Sequence, residues 1–495
     1  MWCLSMEITE DQIAGFCPEA QAIIRALLAQ NAALKKRIDE LEAKLNKNSK
    51  NSSQPPSSVH PHAKPEPPKK ESTRKRGGQP GHEKFQRDLI PTDECTEIIT
   101  RQPTACRGCG KMLTGTDADP LRKQVHDVVI TPVVTEYQLH RLTCACGMST
   151  CGEMPEDVVG ETGPMLTTVL VLLTSWFRTS RRKAALFSSE ICKVPCSAGH
   201  VSQLEARATA ALKDNYEELA EALPDQLNLA IDETPFKRGR VKTWLWTFVA
   251  ASFSVFVVRP TRKAIVLCEA LGEDFAGSIN CDRAKMYFQY DSLQWCWAHL
   301  KRDFQALIDS GDNPLKRLGH DLMRETKTLF AEHARCRDGT ITHATLKKNL
   351  RPVRKQVESL LLRGFGTAAR GMCKELFENK NHLWTFLSDP AVEPTNNSAE
   401  RSLRHGVIWR KLSFGTNSER GDRYVETMLT VIETCRQQNR PVVEFVQHAI
   451  QNQTKPNPTA SHSSTACERL QSGNQRACIN IPSSAVNLGR RRLLL

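Results

Sequence analysis

The sequence predicts a multidomain chain: an N-terminal coiled coil, a zinc-ribbon-like domain and a helix-turn-helix region, then an α/β domain with an α-helical insertion. Three observations carry that expectation. Heptad spacing runs through residues 24–45, two tight cysteine pairs lie between 106 and 146, and a run of β-patterned segments begins at 226. At 495 residues the chain is too long for one ordinary domain. An apolar content of 40% is enough to build cores, which excludes disorder along the whole chain.

Ile24, Leu27, Asn31, Leu34, Ile38, Leu41 and Leu45 follow alternating spacings of three and four. On a heptad, Ile24, Asn31, Ile38 and Leu45 are a positions and the leucines between them are d positions. A single Asn at a costs stability but favours a parallel two-stranded register, so residues 20–46 are expected to dimerise. The competing reading is an amphipathic helix packed on its own chain. Residues 47–92 turn to Ser, Pro, Asn and Lys and read as a basic disordered linker, whose Arg74–His82 patch suits contact with phosphates.

Within 93–155, CRGCG supplies Cys106 and Cys109, and TCACG supplies Cys144 and Cys146, each pair followed by Gly. Two such knuckles are the pattern of a structural Zn²⁺ site. Cys151 is the alternative to Cys146 as fourth ligand, and His126 and His140 are further candidates. The intervening QVHDVVITPVVTEYQLHRLTC alternates in character and is expected to form strands.

Residues 160–224 read as helical. GPMLTTVLVLLTSWF, TSRRKAALFSSEI and SAGHVSQLEARATAALKD form three helices, the last opening on a Ser197 cap. The turn KVPCSAG between short helices matches a helix-turn-helix. Arg178, Arg181, Arg182 and Lys183 then form a basic edge, with His200, Ser202 and Gln203 at the head of the recognition helix. A net charge of +13 and a pI near 9.0 point the same way, to a polyanionic partner. DNA is the first candidate and a membrane surface the second. The opening MWCLSMEITEDQ lacks a signal peptide's pattern, and the longest apolar runs fall short of the roughly 20 residues a membrane span needs. A cytoplasmic location is therefore expected, with the eighteen cysteines present as thiols or metal ligands.

From 225 to 450 the pattern becomes α/β. QLNLAIDET, VKTWLWTFVAAS and FSVFVVRPT read as a three-strand meander, KAIVLCEAL as a helix and FAGSINCD as a fourth strand. That order opens a ribonuclease-H-like fold. Residues 312–390 read as a helical insertion, and 451–495 as a disordered tail. Asp232 and Asp282 would each end a strand, and the first and fourth strands are neighbours in such a sheet. Like charges at one edge repel, and a divalent cation offsets that cost. Oxygen-only ligands suit Mg²⁺ or Mn²⁺, and a third carboxylate completes a two-metal site. Glu400, in VEPTNNSAERSLR, would supply it from a helix capped by Thr395 and the asparagines. Glu233, Glu393, Asp291 and Asp303 are the competing acids. His299 and Trp297 either border this site or pack a helix on the sheet.

AIDETPFK, INCDR, QWCWAHLKRDF and VEPTNNSAERSLRHGVIWRKLSFGTNSERG together resemble the transposases of the insertion sequence 66 family. The zipper-like start, the NKNSKNSSQPPSS linker and the cysteine ribbon do so too, and the likeness covers about residues 20–450 in order. It implies a DDE transposase with Asp232, Asp282 and Glu400 as the catalytic, metal-holding residues and two Mg²⁺ or Mn²⁺ ions per site. It further implies cleavage at the ends of an insertion sequence, then strand transfer into target DNA, in a bacterial, nucleoid-associated setting, with accessory proteins of the same element as partners. Arg401, Arg404, Arg410 and Lys411 would hold phosphates. The chain departs from the family's commoner form in two places. Arg-Ala-Lys follows Asp282 where a small Gly-containing turn is usual, and the second cysteine pair is one residue tighter. A nuclease without strand transfer and a catalytically decayed DNA-binding regulator are the alternatives.

Overall fold

In a computed structural model of the chain, residues 13–45, 87–156, 158 and 160–453 are described. The Arg74–His82 patch and nearly all of the tail lie outside them. Helix α1 (Pro18–Leu45) is one unbroken helix that carries the heptad positions, with Leu27, Leu34, Ile38 and Leu41 exposed along it. In the cysteine-rich region a short hairpin forms, β1 (Arg141–Thr143) against β2 (Ser149–Cys151), with Cys144 and Cys146 in its turn. The remaining strands expected between the cysteine pairs are not present. Residues 121–140 run without a ladder partner, and Val125, Val129 and Val133 are exposed. Alternation marks a chain suited to a sheet, but a strand also needs a neighbour to accept its hydrogen bonds.

Four helices follow: α2 (Pro164–Ser175), α3 (Arg181–Glu190), α4 (Ala198–Ala211) and α5 (Lys213–Glu221). Ser180 and Ser197 cap α3 and α4, each side-chain oxygen accepting a backbone N–H three residues on. The α4 cap is the one expected from sequence.

The central sheet has five strands: β3 (Asn228–Arg238), β4 (Val241–Val249), β5 (Ser254–Arg259), β6 (Ser278–Cys281) and β7 (Leu293–Trp295). Their order is β5-β4-β3-β6-β7. The three meander strands pair antiparallel, while β3–β6 and β6–β7 pair parallel. A short helix, α6 (Ile265–Leu271), makes the crossover to β6. The sheet is buried on both faces, which is why β4 and β5 read as nearly continuous apolar runs. Helix α7 (Trp297–Ile308) follows β7, and the insertion supplies α8 (Asn313–Arg337), α9 (His343–Gly364) and α10 (Arg370–Glu378). The chain then returns through α11 (Asn397–Ser413), α12 (Glu419–Gln437) and α13 (Val442–Gln453).

Helix α11 lies across β3 and β4. Small residues permit the close approach. Ala399 packs against Ala230 and Val249, and a Cβ at Gly406 would sit 2.1 Å from Leu245 Cδ2. Helices α12 and α13 join the N-terminal helices to this layer. Tyr424 on α12 donates to the Val171 carbonyl of α2 at 2.9 Å, and its hydroxyl lies 2.7 Å from Thr174 Oγ1. The helices of 164–221 thus share a core with the sheet layer.

Candidate active site

Strand β3 does not end at Asp232. It continues past Pro235 to Arg238, paired with β4 throughout. What ends is its other neighbour. The last β3–β6 pair is Ala230 with Asn280, so from 231 to 236 one edge of β3 has no strand beside it, until Thr416 bridges Arg238. Pro235, which has no N–H, is tolerated there for that reason. Asp232 and Asp282 each lie two residues past that pair, on adjacent parallel strands, and this places the two carboxylates side by side at the sheet's C-terminal edge.

Glu400 arrives on the first turn of α11. The loop before it is bound to three neighbouring strands, within β3 and β6 and just past β7. Asn280 Nδ2 donates to the carbonyls of Glu393 and Thr395 at 2.8 and 3.2 Å. Asn396 Nδ2 donates to the Ile231 carbonyl, next to Asp232, at 2.7 Å. Beyond β7, the Asn396 amide donates to Cys296 Sγ at 3.2 Å, and the Trp297 amide donates to the Pro394 carbonyl at 3.0 Å. Asn396 therefore occupies the cap position without capping the helix, contrary to expectation. Its side chain, 1% exposed, is used to join α11 to β3.

The charges of this edge are felt locally. Burial, then the charges of Glu233, Asp282 and Glu400, hold the Asp232 carboxyl well above the usual carboxylate range. Asp282 Oδ1 accepts the Ala284 amide at 2.8 Å, and its Oδ2 lies 3.6 Å from Arg262. Glu400 Oε1 is 3.7 Å from His299 Nε2 and 3.8 Å from Arg302, and it accepts no hydrogen bond although it is sealed from solvent. Buried carboxylate oxygens normally have a partner. Three acidic groups on one edge, one with an unpaired oxygen, suit oxygen-liganded divalent cations. Their oxygens are not all within 4.8 Å of one another, so they border a shared space and do not form a tight cluster.

The rival acids sort cleanly. Glu233 is buried and committed, accepting from Arg262 Nε at 2.6 Å and from the Tyr287 hydroxyl at 2.7 Å. Burial and the charge of Asp282 push it up to about 7. Asp303 pairs with Arg283 at 2.5 Å, and Glu375 of the insertion takes the same guanidinium at 3.0 Å. Arg283 is the first residue of the unusual Arg-Ala-Lys turn, so that departure is tied into α7 and α10. Glu393 and Asp291 are exposed. Trp297 is core, donating from Nε1 to the Leu383 carbonyl at 2.8 Å, whereas His299 faces Glu400. Sequence reasoning missed Asn280, Cys296 and Arg262, and gave Asn396 the role of a cap where it is a tie to β3. The asparagines in SINCD and PTNN were the available signal.

The cysteine pairs each adopt a knuckle-like turn. The Cys106 amide donates to the Lys111 carbonyl and the Cys144 amide to the Met148 carbonyl, both at 2.8 Å. Hydrogen bonds from Cys109 and Gly108 lower the Cys106 thiol, and bonds from Cys146 lower Cys144. Low thiols suit metal ligation. Among the described residues, however, the ligand atoms of Cys106, Cys109, Cys144 and Cys146 do not converge.

The basic residues divide into free and engaged. Arg178 lies over the Trp409 ring at 5.1 Å and donates to the Ser175 carbonyl; burial lowers it to about 10. Arg181 pairs with Glu205 at 2.6 Å, and Arg410 donates to the Pro235 carbonyl at 2.6 Å. His200 meets Thr162 Oγ1 at 2.7 Å, and Ser202 accepts from Arg420 at 3.0 Å. Arg178, Arg181 and Arg410 therefore hold the fold together. Arg182, Lys183, Gln203, Arg401, Arg404 and Lys411 are exposed.

The family profile described as Transposase IS66 family matches residues 161–424, from the helices before the sheet into α12. Residues 9–88 match a family of unknown function, DUF6444. An uncharacterized protein, y4qI, of Sinorhizobium fredii (strain NBRC 101917 / NGR234) is 24% identical over 220 residues, covering 39% of this chain and 41% of that protein. The chain thus spans about two fifths of that relative's length. None of the described helices is long and apolar enough to cross a membrane.

Proposed function

The chain belongs to the Transposase IS66 family, and on that premise we propose that it is a DNA transposase of an insertion sequence, using Asp232, Asp282 and Glu400 as a DDE set. The placement of all three carboxylates at one sheet edge carries this reading, and the strand order supports a ribonuclease-H-like catalytic domain. These three residues would hold Mg²⁺ or Mn²⁺, which, when bound, neutralises phosphate charge and makes water or a hydroxyl a better nucleophile.

The chain's own groups do the rest. Asn280 and Asn396 hold Glu400 in register with the two aspartates, so the set is preorganised before DNA arrives. Arg401, Arg404 and Lys411, exposed on α11, fix DNA phosphates and its register. Water attacks a phosphodiester at the element's end and frees a 3′-hydroxyl. That hydroxyl then attacks a target phosphodiester, and the target's own 3′-oxygen leaves. Neither step forms a protein–DNA bond. Arg182, Lys183 and Gln203 contact the terminal repeats, α1 pairs two protomers, and Cys106, Cys109, Cys144 and Cys146 are the residues that would hold a structural Zn²⁺. The protein works on the bacterial nucleoid, with accessory proteins of the element as further partners.

The test uses oligonucleotides carrying the element's inverted repeats, Mg²⁺ and a target duplex. Cleavage and joining by the wild type, with Asp232→Asn losing both yet still binding DNA, is expected. Cleavage without joining would leave a nuclease, and binding without cleavage a regulator.

A further inference from the structure

Beside the sheet edge lies a second constellation of a different chemistry. Cys296, His299 and Glu400 are the group among the described residues whose potential ligand atoms converge, all within 4.8 Å of one another. Cys296 stands at the N-terminus of α7, one residue beyond β7, and His299 lies in the first turn of that helix. Glu400 reaches them from α11. Two polar atoms here are sealed from solvent and lack a hydrogen-bond partner, Glu400 Oε1 and His299 Nδ1. Cys296, 2% exposed, already accepts the Asn396 amide at 3.2 Å. Such an N–H···S bond is the outer contact that stabilises a metal-bound thiolate.

We propose that Cys296, His299 and Glu400 form a site for a borderline-soft divalent cation, Zn²⁺, that withdraws Glu400 from the acidic set. A thiolate, an imidazole and a carboxylate are a zinc donor set, and three protein ligands leave a fourth position for water. Mg²⁺ prefers oxygen alone, so the two ions select different partners for the same glutamate. Binding releases the Cys296 proton to solvent and changes no oxidation state. Arg302, 3.8 Å from Glu400 Oε1, balances that carboxylate's charge without the ion. The ion-binding claim stands by itself. The inhibitory consequence rests on the DDE reading.

The full-length protein is titrated with Co²⁺, and the thiolate-to-cobalt charge-transfer band is compared between wild type and Cys296→Ser. Ribbon cysteines contribute equally to both, so the difference reports Cys296. Expected is a difference of one site, also lost in Glu400→Gln, which serves as the second variant if Cys296→Ser does not fold. Identical spectra overturn the site. In parallel, Zn²⁺ is titrated into Mg²⁺-supported DNA cleavage. Cys296→Ser should need more than about tenfold higher Zn²⁺ for half-inhibition. Equal sensitivity overturns the regulatory half. Absence of cleavage by the wild type would sink the DDE reading alone, because the cobalt spectra decide the site without it.

Discussion

Asn396→Asp separates two explanations of the PTNN turn that a sequence cannot distinguish. If residue 396 caps α11, aspartate is as good as asparagine, and its charge at a helix N-terminus adds a few tenths of a kcal/mol. In the structure the side chain makes no cap bond; its amide donates to the Ile231 carbonyl at 2.7 Å, at 1% exposure. Aspartate keeps the shape but has no N–H to give. The Ile231 carbonyl loses a donor and faces a carboxylate, in a place where water cannot compensate. An unsatisfied buried partner costs about 1–3 kcal/mol, and the wrong-signed charge adds to it. Thermal unfolding followed by circular dichroism should show a loss of about 2–4 °C per kcal/mol for a unit of this size. The same variant should cleave DNA more slowly, because Glu400 sits one turn from the broken tie. A variant as stable as wild type, or more stable, would refute the structural reading and restore the cap.

Two further outcomes concern the basic residues and one buried acid. Arg178→Ala should lower thermal stability while leaving the salt dependence of DNA binding intact, since Arg178 is spent on Trp409 and Ser175. Replacing both exposed residues, Arg182→Ala with Lys183→Ala, should spare stability and reduce the slope of log affinity against log salt by about 0.9 per lost phosphate contact. The second concerns pH. Glu426, buried in α12, accepts the Val258 amide at 2.6 Å, and burial raises its carboxyl from 4.5 to about 7. Folding therefore favours its protonated form. Its contribution is complete below about pH 4.5, and is lost as pH rises through about 7, to the extent of about 3 kcal/mol. Glu426→Gln should flatten that part of the stability–pH curve, and an unchanged curve would remove Glu426 as its source.

What could be read from the chain was local. Apolar runs and turn residues marked β3 to β6, Ser197 marked the α4 cap, and the Leu/Lys/Arg/Glu-rich stretch marked the insertion helices. These features are set by each segment's own periodicity and backbone chemistry, which neighbours in sequence carry. The pairing of Asp232 with Asp282 was legible because strand order follows from the β–helix–β pattern. Where local pattern lacked a partner it misled: the valines of 125–134 alternate as strands do, yet have no adjacent ladder.

Charge alone could not say which cations were free. Arg178, Arg181, Arg182 and Lys183 look alike in sequence, yet Arg178 and Arg181 are engaged within the fold, according to where Trp409 and Glu205 lie. The same holds for the ties that place Glu400. Asn396 meets Ile231 across 165 residues, and Asn280 meets Glu393 across 113. The sequence by itself determined the order and kind of the elements that carry Asp232, Asp282 and Glu400. Only the tertiary structure decided how Glu400 is held, that β3 runs past Asp232, and that Cys296 and His299 lie beside its carboxylate, because hydrogen bonds between distant segments leave no period in the chain.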